Sequence, residues 1–182
     1  MNLKRTLRLM GLAPVFAVAL VAANRTAVGQ TVTAVPTLDF NQFTGSWYEI
    51  ARLPNKREKI CTGDVVEVIA LGDKSKQLQI VTSCKTNKGY TEVRNATATT
   101  QKKRGDGELK VTYTWPFSEK DWVLAVGAQT HWVLIGSPNH KALWVYSRAP
   151  KLSPEVRSEI ERKAAAEGFA VAKLVTTPQS GR

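Results

Sequence analysis

Cysteine and histidine are scarce, two of each in 182 residues, and the scarcity excludes much chemistry. A two-cysteine metal site would want histidine partners at short spacing, yet His131 and His140 lie far from Cys61 and Cys84 in sequence. No phosphate loop, metal-spaced cluster or Ser-His-Asp arrangement is visible. There is no Ser, Gly or Pro-rich linker and no repeat of solenoid period, so one domain is expected. Acids are few, 15 against 26 Lys and Arg, for a net charge of +11. With 43% apolar and 23% charged residues the chain is nonetheless globular rather than disordered. Basicity raises the question of nucleic acid, but no basic helix or recognised nucleic-acid motif accompanies it.

Long hydrophobic runs are also missing, apart from Leu9 to Ala23, which is too short to span a bilayer comfortably. Preceded by Lys4, Arg5 and Arg8, it reads as the core of a signal peptide over residues 1–29, cleaved after Ala23 or after Gly29. Removal through Gly29 takes away four basic residues and no acid, leaving +7. No cysteine lies near the cleavage region to accept a lipid, so a soluble secreted or periplasmic protein is expected. In an oxidising compartment the even pair Cys61 and Cys84 reads as one disulfide, contributing about 3 kcal/mol on the chain-entropy argument.

Residues 30–36 are small, polar and β-branched without period, and read as a flexible leader to a domain over 37–178. In that domain short β-rich runs recur between turn signals. Strands are expected at 47–53, 64–71, 77–85, 90–101, 108–115, 122–126, 131–137 and 142–149. Turns such as Asn87-Lys88-Gly89 and Ser137-Pro138-Asn139 are short, which favours antiparallel pairing in sequence order and closure into an eight-stranded up-and-down barrel wide enough for one small ligand. Then the period changes. Ser153 as N-cap, Pro154 at the first helical position and Gly168 as terminator bound a helix with Val156, Ile160 and Ala164 along one apolar stripe. Residues 169–175 read as one more short strand.

The run Phe43-Thr44-Gly45-Ser46-Trp47-Tyr48-Glu49-Ile50-Ala51-Arg52 and the later run Leu143-Trp144-Val145-Tyr146-Ser147-Arg148-Ala149-Pro150 resemble the lipocalins, and more narrowly the bacterial, apolipoprotein D-like subgroup. The resemblance covers about residues 38–179. It implies an all-β barrel with the C-terminal helix packed outside, and a structural role for Gly45, Trp47 and Arg148, the guanidinium lying across the indole at the closed end. One departure is the missing acid in the turn Val126-Gly127-Ala128-Gln129-Thr130, which the family usually carries there.

Alternation then assigns faces, since a barrel strand turns every second residue inward. From Arg148, Tyr146 and Trp144 are inward; from Trp47, Glu49 and Ala51 are inward, with Tyr48 and Ile50 left for the helix. Val111, Tyr113 and Trp115 share a face taken as the lumen, as do Val123 and Ala125, with Asp121 at the mouth. Ala96 and Ala98 leave room for a ligand, and Arg94 falls on their side, either as partner to an anionic head group or turned to solvent at the rim. On the second strand Val65, Glu67 and Ile69 compete with Val66 and Val68. The resemblance implies a small hydrophobic ligand, a fatty acid, lysophospholipid or similar lipid. No cofactor or metal is expected. Lys56, Arg57, Lys59, Lys85, Lys88, Lys120 and Lys141 surround the open end, partly offset by Glu58 and Glu119, and would suit an anionic membrane surface; with Lys102, Lys103 and Arg104 at the closed end, a generally solvated basic surface is the competing and more ordinary reading. The competing readings are a lipocalin-fold enzyme of isomerase type and a pigment or tetrapyrrole binder using His131 or His140.

Overall fold

In a computed structural model that describes residues 30–101 and 105–180, the alternation of β-branched and polar residues resolves into nine strands and two helices among the described residues. In chain order these are α1 (Phe40–Phe43), β1 (Gly45–Arg52), β2 (Cys61–Leu71), β3 (Gln77–Thr86), β4 (Thr91–Gln101), β5 (Gly105–Thr114), β6 (Phe117–Val126), β7 (Trp132–Gly136), β8 (Leu143–Ser147), α2 (Pro154–Ala166) and β9 (Val175–Thr176). The expected signal peptide and the basic triplet Lys102, Lys103 and Arg104 lie outside the described residues.

Each of β2 to β8 pairs antiparallel with its sequence neighbour, and β1 pairs with both β2 and β8, which closes the barrel. Sequential pairing sends alternate connections to opposite ends. The segments 53–60, 87–90, 115–116 and 137–142 form the open end, while α1 and the turns after β2 and β6 lie at the closed one.

The closed end is built around Gly45 and Arg148. Gly45 has a φ of +95°, and a Cβ there would lie 3.2 Å from Arg148 Nη1, so glycine is required both for backbone and for room. The Arg148 guanidinium carbon stands 3.6 Å from the centre of the Trp47 ring. It donates to the carbonyls of Gln42 (2.6 Å), Thr44 (2.7 Å) and Ser46 (2.9 Å), and Trp47 Nε1 donates to Phe43 O at 2.8 Å. In place of the missing acidic turn, Thr130 Oγ1 donates to Gln42 Oε1 at 2.8 Å.

Two cores result. One fills the barrel floor around Phe43, Trp47, Leu78, Ala98 and Val123; the other lies between the outer face and α2, around Ile50, Leu134, Val145, Ile160 and Ala164. Ser153 caps α2, its Oγ accepting from Val156 N at 3.3 Å. The disulfide forms between Cys61 and Cys84, tying the start of β2 to β3.

Three expectations are corrected. Residues 30–36 are not a loose leader: Val32 is buried against α2's core, Val35 N donates to Val123 O at 2.8 Å, and Val35 O comes within 2.4 Å of where a Gly107 Cβ would be. The sixth strand starts at Phe117 rather than Trp122, because the turn at Trp115-Pro116 is tight enough to pair Thr114 with Phe117. The tail forms a short 3-10 turn at Val171–Lys173, and only β9 beyond it is extended. This last segment has a specific place. β1 parts from β2 after Tyr48, and residues 175–180 fill the split, with Thr177 N donating to Ile50 O (3.0 Å), Asp64 N to Pro178 O (2.8 Å), and Gln179 Nε2 to both Glu49 O (2.8 Å) and Val65 O (3.0 Å).

Candidate functional site

Register places inward residues of β2, β3 and β4 in rows. Ile69, Ile80 and Ala96 stand side by side near the floor, and one level nearer the mouth stand Glu67, Thr82 and Arg94. The phase left open on β2 is thereby settled for Val65, Glu67 and Ile69. Above the apolar floor is a cavity of about 590 Å3, walled by Phe43, Ile69, Ile80, Leu109, Val111 and Ile135 below and by Trp144 and Tyr146 at the side. This volume falls within the roughly 300–1,000 Å3 range of small-molecule sites.

The upper cavity is polar. Glu67 accepts from Thr82 Oγ1 at 3.2 Å and lies beside Tyr146. Its carboxyl is pushed up to about 7 by burial, against the Tyr146 hydrogen bond and with added repulsion from Glu58. At the top the loop between β1 and β2 drapes over the opening. Arg57 stacks between Tyr113 and Trp144, 4.7 and 4.5 Å from their ring centres, and pairs with Asp121 at 3.0 Å and Glu119 at 3.2 Å. Burial raises the Asp121 pKa although Arg57 opposes it. Glu58 accepts from Trp144 Nε1 at 3.1 Å and pairs with Arg52 at 3.2 Å. Arg94 donates to the Arg57 carbonyl and lies 3.5 Å from Glu92. The loop is thus fastened by charged groups on three strands, β1, β4 and β6, and by the Trp144 and Tyr113 rings.

Of the residues expected to form the site, Arg94, Val111, Tyr113, Trp144 and Tyr146 line this cavity. Ala96, Ala98 and Val123 face inward but are packed into the floor beneath it. Glu49 sits on the inner side of β1, sealed by Arg52 (2.6 Å) and Thr177, and burial with the nearby Glu58 raises it to about 8. Ala51 is corrected: a bulge between Glu49 and Ala51 shifts the phase, so Ile50 and Ala51 both join the core under α2. The same device between Val123 and Ala125 turns Ala125 outward. Trp115 is corrected too, since β5 runs past the rim and leaves it 85% exposed. Sequence reasoning missed Glu58 and Thr82 and did not see Arg57 as more than a loop cation; alternation on β3 would have found Thr82, but nothing local marks a loop that folds back over a barrel. His131 and His140 both lie away from the cavity, His140 against Phe169 and the carbonyl of Glu167.

A closed antiparallel barrel around an apolar cavity with a polar, covered mouth defines a barrel for small hydrophobic ligands. Residues 38–179 match the family model described as a lipocalin-like domain, and the chain belongs to that family. It is 31% identical over 156 residues to the outer membrane lipoprotein Blc of Citrobacter freundii, covering 82% of this chain and 84% of that one, with the same figures for Blc of Escherichia coli (strain K12). Among solved structures, insecticyanin from the tobacco hornworm Manduca sexta shares the fold at a TM-score of 0.66 and 19% identity, over 82% of this chain and 85% of that one. The relatives correct the expected location: both are outer membrane lipoproteins, which overturns the reading of a soluble secreted or periplasmic protein without a lipid anchor.

Proposed function

We propose that the protein is a carrier, not a catalyst, and that its cargo is a single-chain lipid such as a fatty acid or lysophospholipid, collected from and returned to an anionic membrane surface. The observation that carries this reading is the division of the cavity into an apolar lower part and a charged upper part. An acyl chain buried on Ile69, Ile80, Leu109 and Val111 gains about 25 cal/mol per Å2 of apolar surface removed from water. The head group then lies at the level of Arg94 and Tyr113, where a guanidinium offers charge-assisted hydrogen bonds to a carboxylate or phosphate. Below about 7 Glu67 largely holds its proton, so that it adds little opposing charge there and has an O–H to donate. Among the described residues no histidine or cysteine lines the cavity, so a nucleophile paired with histidine is not available there.

Titration with a fluorescent fatty acid tests this. The protein binds one probe per chain, and Arg94→Met weakens a fatty acid by about tenfold, the cost of roughly one charged hydrogen bond, while leaving a fatty alcohol of the same length unchanged. No saturable binding refutes the carrier; equal loss for acid and alcohol removes Arg94 from the head-group site.

A further inference from the structure

The turn between β5 and β6 is unlike the rest of the surface. Residues 111–118 carry no charge, and at the tip Trp115 is 85% and Phe117 75% exposed, the most exposed large apolar side chains among the described residues. They project beyond the rim at the end where the cavity opens. Next to them, the loop after β1, the start of β6 and the turn between β7 and β8 enclose a second hollow of about 640 Å3 with Lys56, Lys120 and Lys141 on its walls. Its one acid, Glu119, is engaged by Arg57 at 3.2 Å. Among the described residues none of the three lysines has a carboxylate within 4.0 Å. Lys59 and Lys88 add exposed cations at the same end, where Lys85 is paired with Asp64 at 2.7 Å; at the closed end Lys76 is paired with Asp106 at 2.6 Å.

An aromatic tip beside a hollow of unpaired lysines has the chemistry of an interfacial anchor. Tryptophan and phenylalanine settle at the boundary between head groups and acyl chains, and lysines within a Debye length gain from negative head groups. A protein partner would be expected to match the tip with a shaped apolar surface, but the neighbouring cations ask for dense negative charge, which a bilayer supplies. We propose that the protein docks end-on to an anionic phospholipid bilayer, with Trp115 and Phe117 entering the interface and Lys56, Lys120 and Lys141 taking head-group phosphates. This deepens the carrier reading, on which it rests for its purpose, by naming the element that sets the open mouth against the membrane.

Co-sedimentation with vesicles of phosphatidylethanolamine and phosphatidylglycerol, compared with phosphatidylcholine alone, tests the docking. The full chain is expected to bind the anionic vesicles and to release with salt. Trp115→Ser lowers partitioning by about tenfold. The triple variant K56Q/K120Q/K141Q lowers it by about a hundredfold, roughly fivefold per lysine. Neither variant touches the cavity wall, so both retain fluorescent fatty acid binding from solution and the parent melting temperature. Equal binding to both vesicle types, no binding to either, or undiminished binding by the variants overturns the proposal. Docking that persists as predicted in a protein that takes up no fatty acid overturns the carrier reading instead.

Discussion

Glu67→Gln isolates the effect of a carboxyl placed inside the barrel. Glu67 is held on β2 between Thr82 and Tyr146, and burial lifts its pKa from 4.5 to about 7. Because the folded value lies above the unfolded one, the native state keeps its proton longer than the unfolded chain does. Below 4.5 both states are protonated and this group contributes no pH dependence. Between 4.5 and about 7 the unfolded chain ionises first, so stability falls as pH rises, and above that interval the loss is complete. A change from 4.5 to about 7 corresponds to a loss on the order of 3 kcal/mol. Glutamine has nearly the same shape and does not ionise. Urea unfolding of the two proteins across this range gives the difference directly, with similar slopes expected because the surface exposed on unfolding is the same. The variant gains on the parent progressively from 4.5 to about 7 and holds its advantage above it. A stability difference that stays constant across the interval would show that Glu67 ionises freely, as a solvated carboxylate would, and would refute the placement.

Arg148→Ala removes the stack on Trp47 together with three hydrogen bonds to the carbonyls of Gln42, Thr44 and Ser46. A loss of about 3 kcal/mol is expected, which thermal denaturation reads as a fall of roughly 6–12 °C; lysine, without a planar face, recovers less than half, and a loss under about 1 kcal/mol would remove the plug role. Replacing Cys61 and Cys84 together by serine costs about 3 kcal/mol on the chain-entropy argument for a 23-residue separation, measured by chemical unfolding of the oxidised parent against the variant; equal midpoints would mean that the bridge constrains little.

The barrel was legible because its information is periodic and local. Short connections between β-branched runs give sequential antiparallel pairing, and the Gly45-Ser46-Trp47 and Arg148 segments identify the two strands that meet at the closed end. The helix was legible for the same reason, since its cap, first-turn proline and four-residue stripe are all neighbours in sequence. What stayed hidden needs knowledge of a bulge or of distant contact. Ala51 and Ala125 obey alternation until one extra residue in each strand reverses it. Arg57 and Glu58 belong to the site only because their loop folds across the mouth to reach β5, β6 and β8. The tail appears as a mere extra strand until β1 and β2 are seen to part, leaving backbone groups that Thr177, Pro178 and Gln179 satisfy. The location inferred from the absence of a cysteine near the N-terminus rested on one missing residue, and the lipoprotein relatives outweigh it.

The central claim is that the cavity beneath Arg57 carries a single-chain lipid. Native mass spectrometry of the purified protein, followed by extraction and identification of whatever it retains, tests this most directly. The account predicts one acyl-chain lipid per barrel, displaced by added fatty acid and diminished when Val111 is replaced by tryptophan to fill the lumen. A folded protein that carries no lipid and accepts none on addition, or one whose lipid is unaffected by filling the lumen, would contradict it.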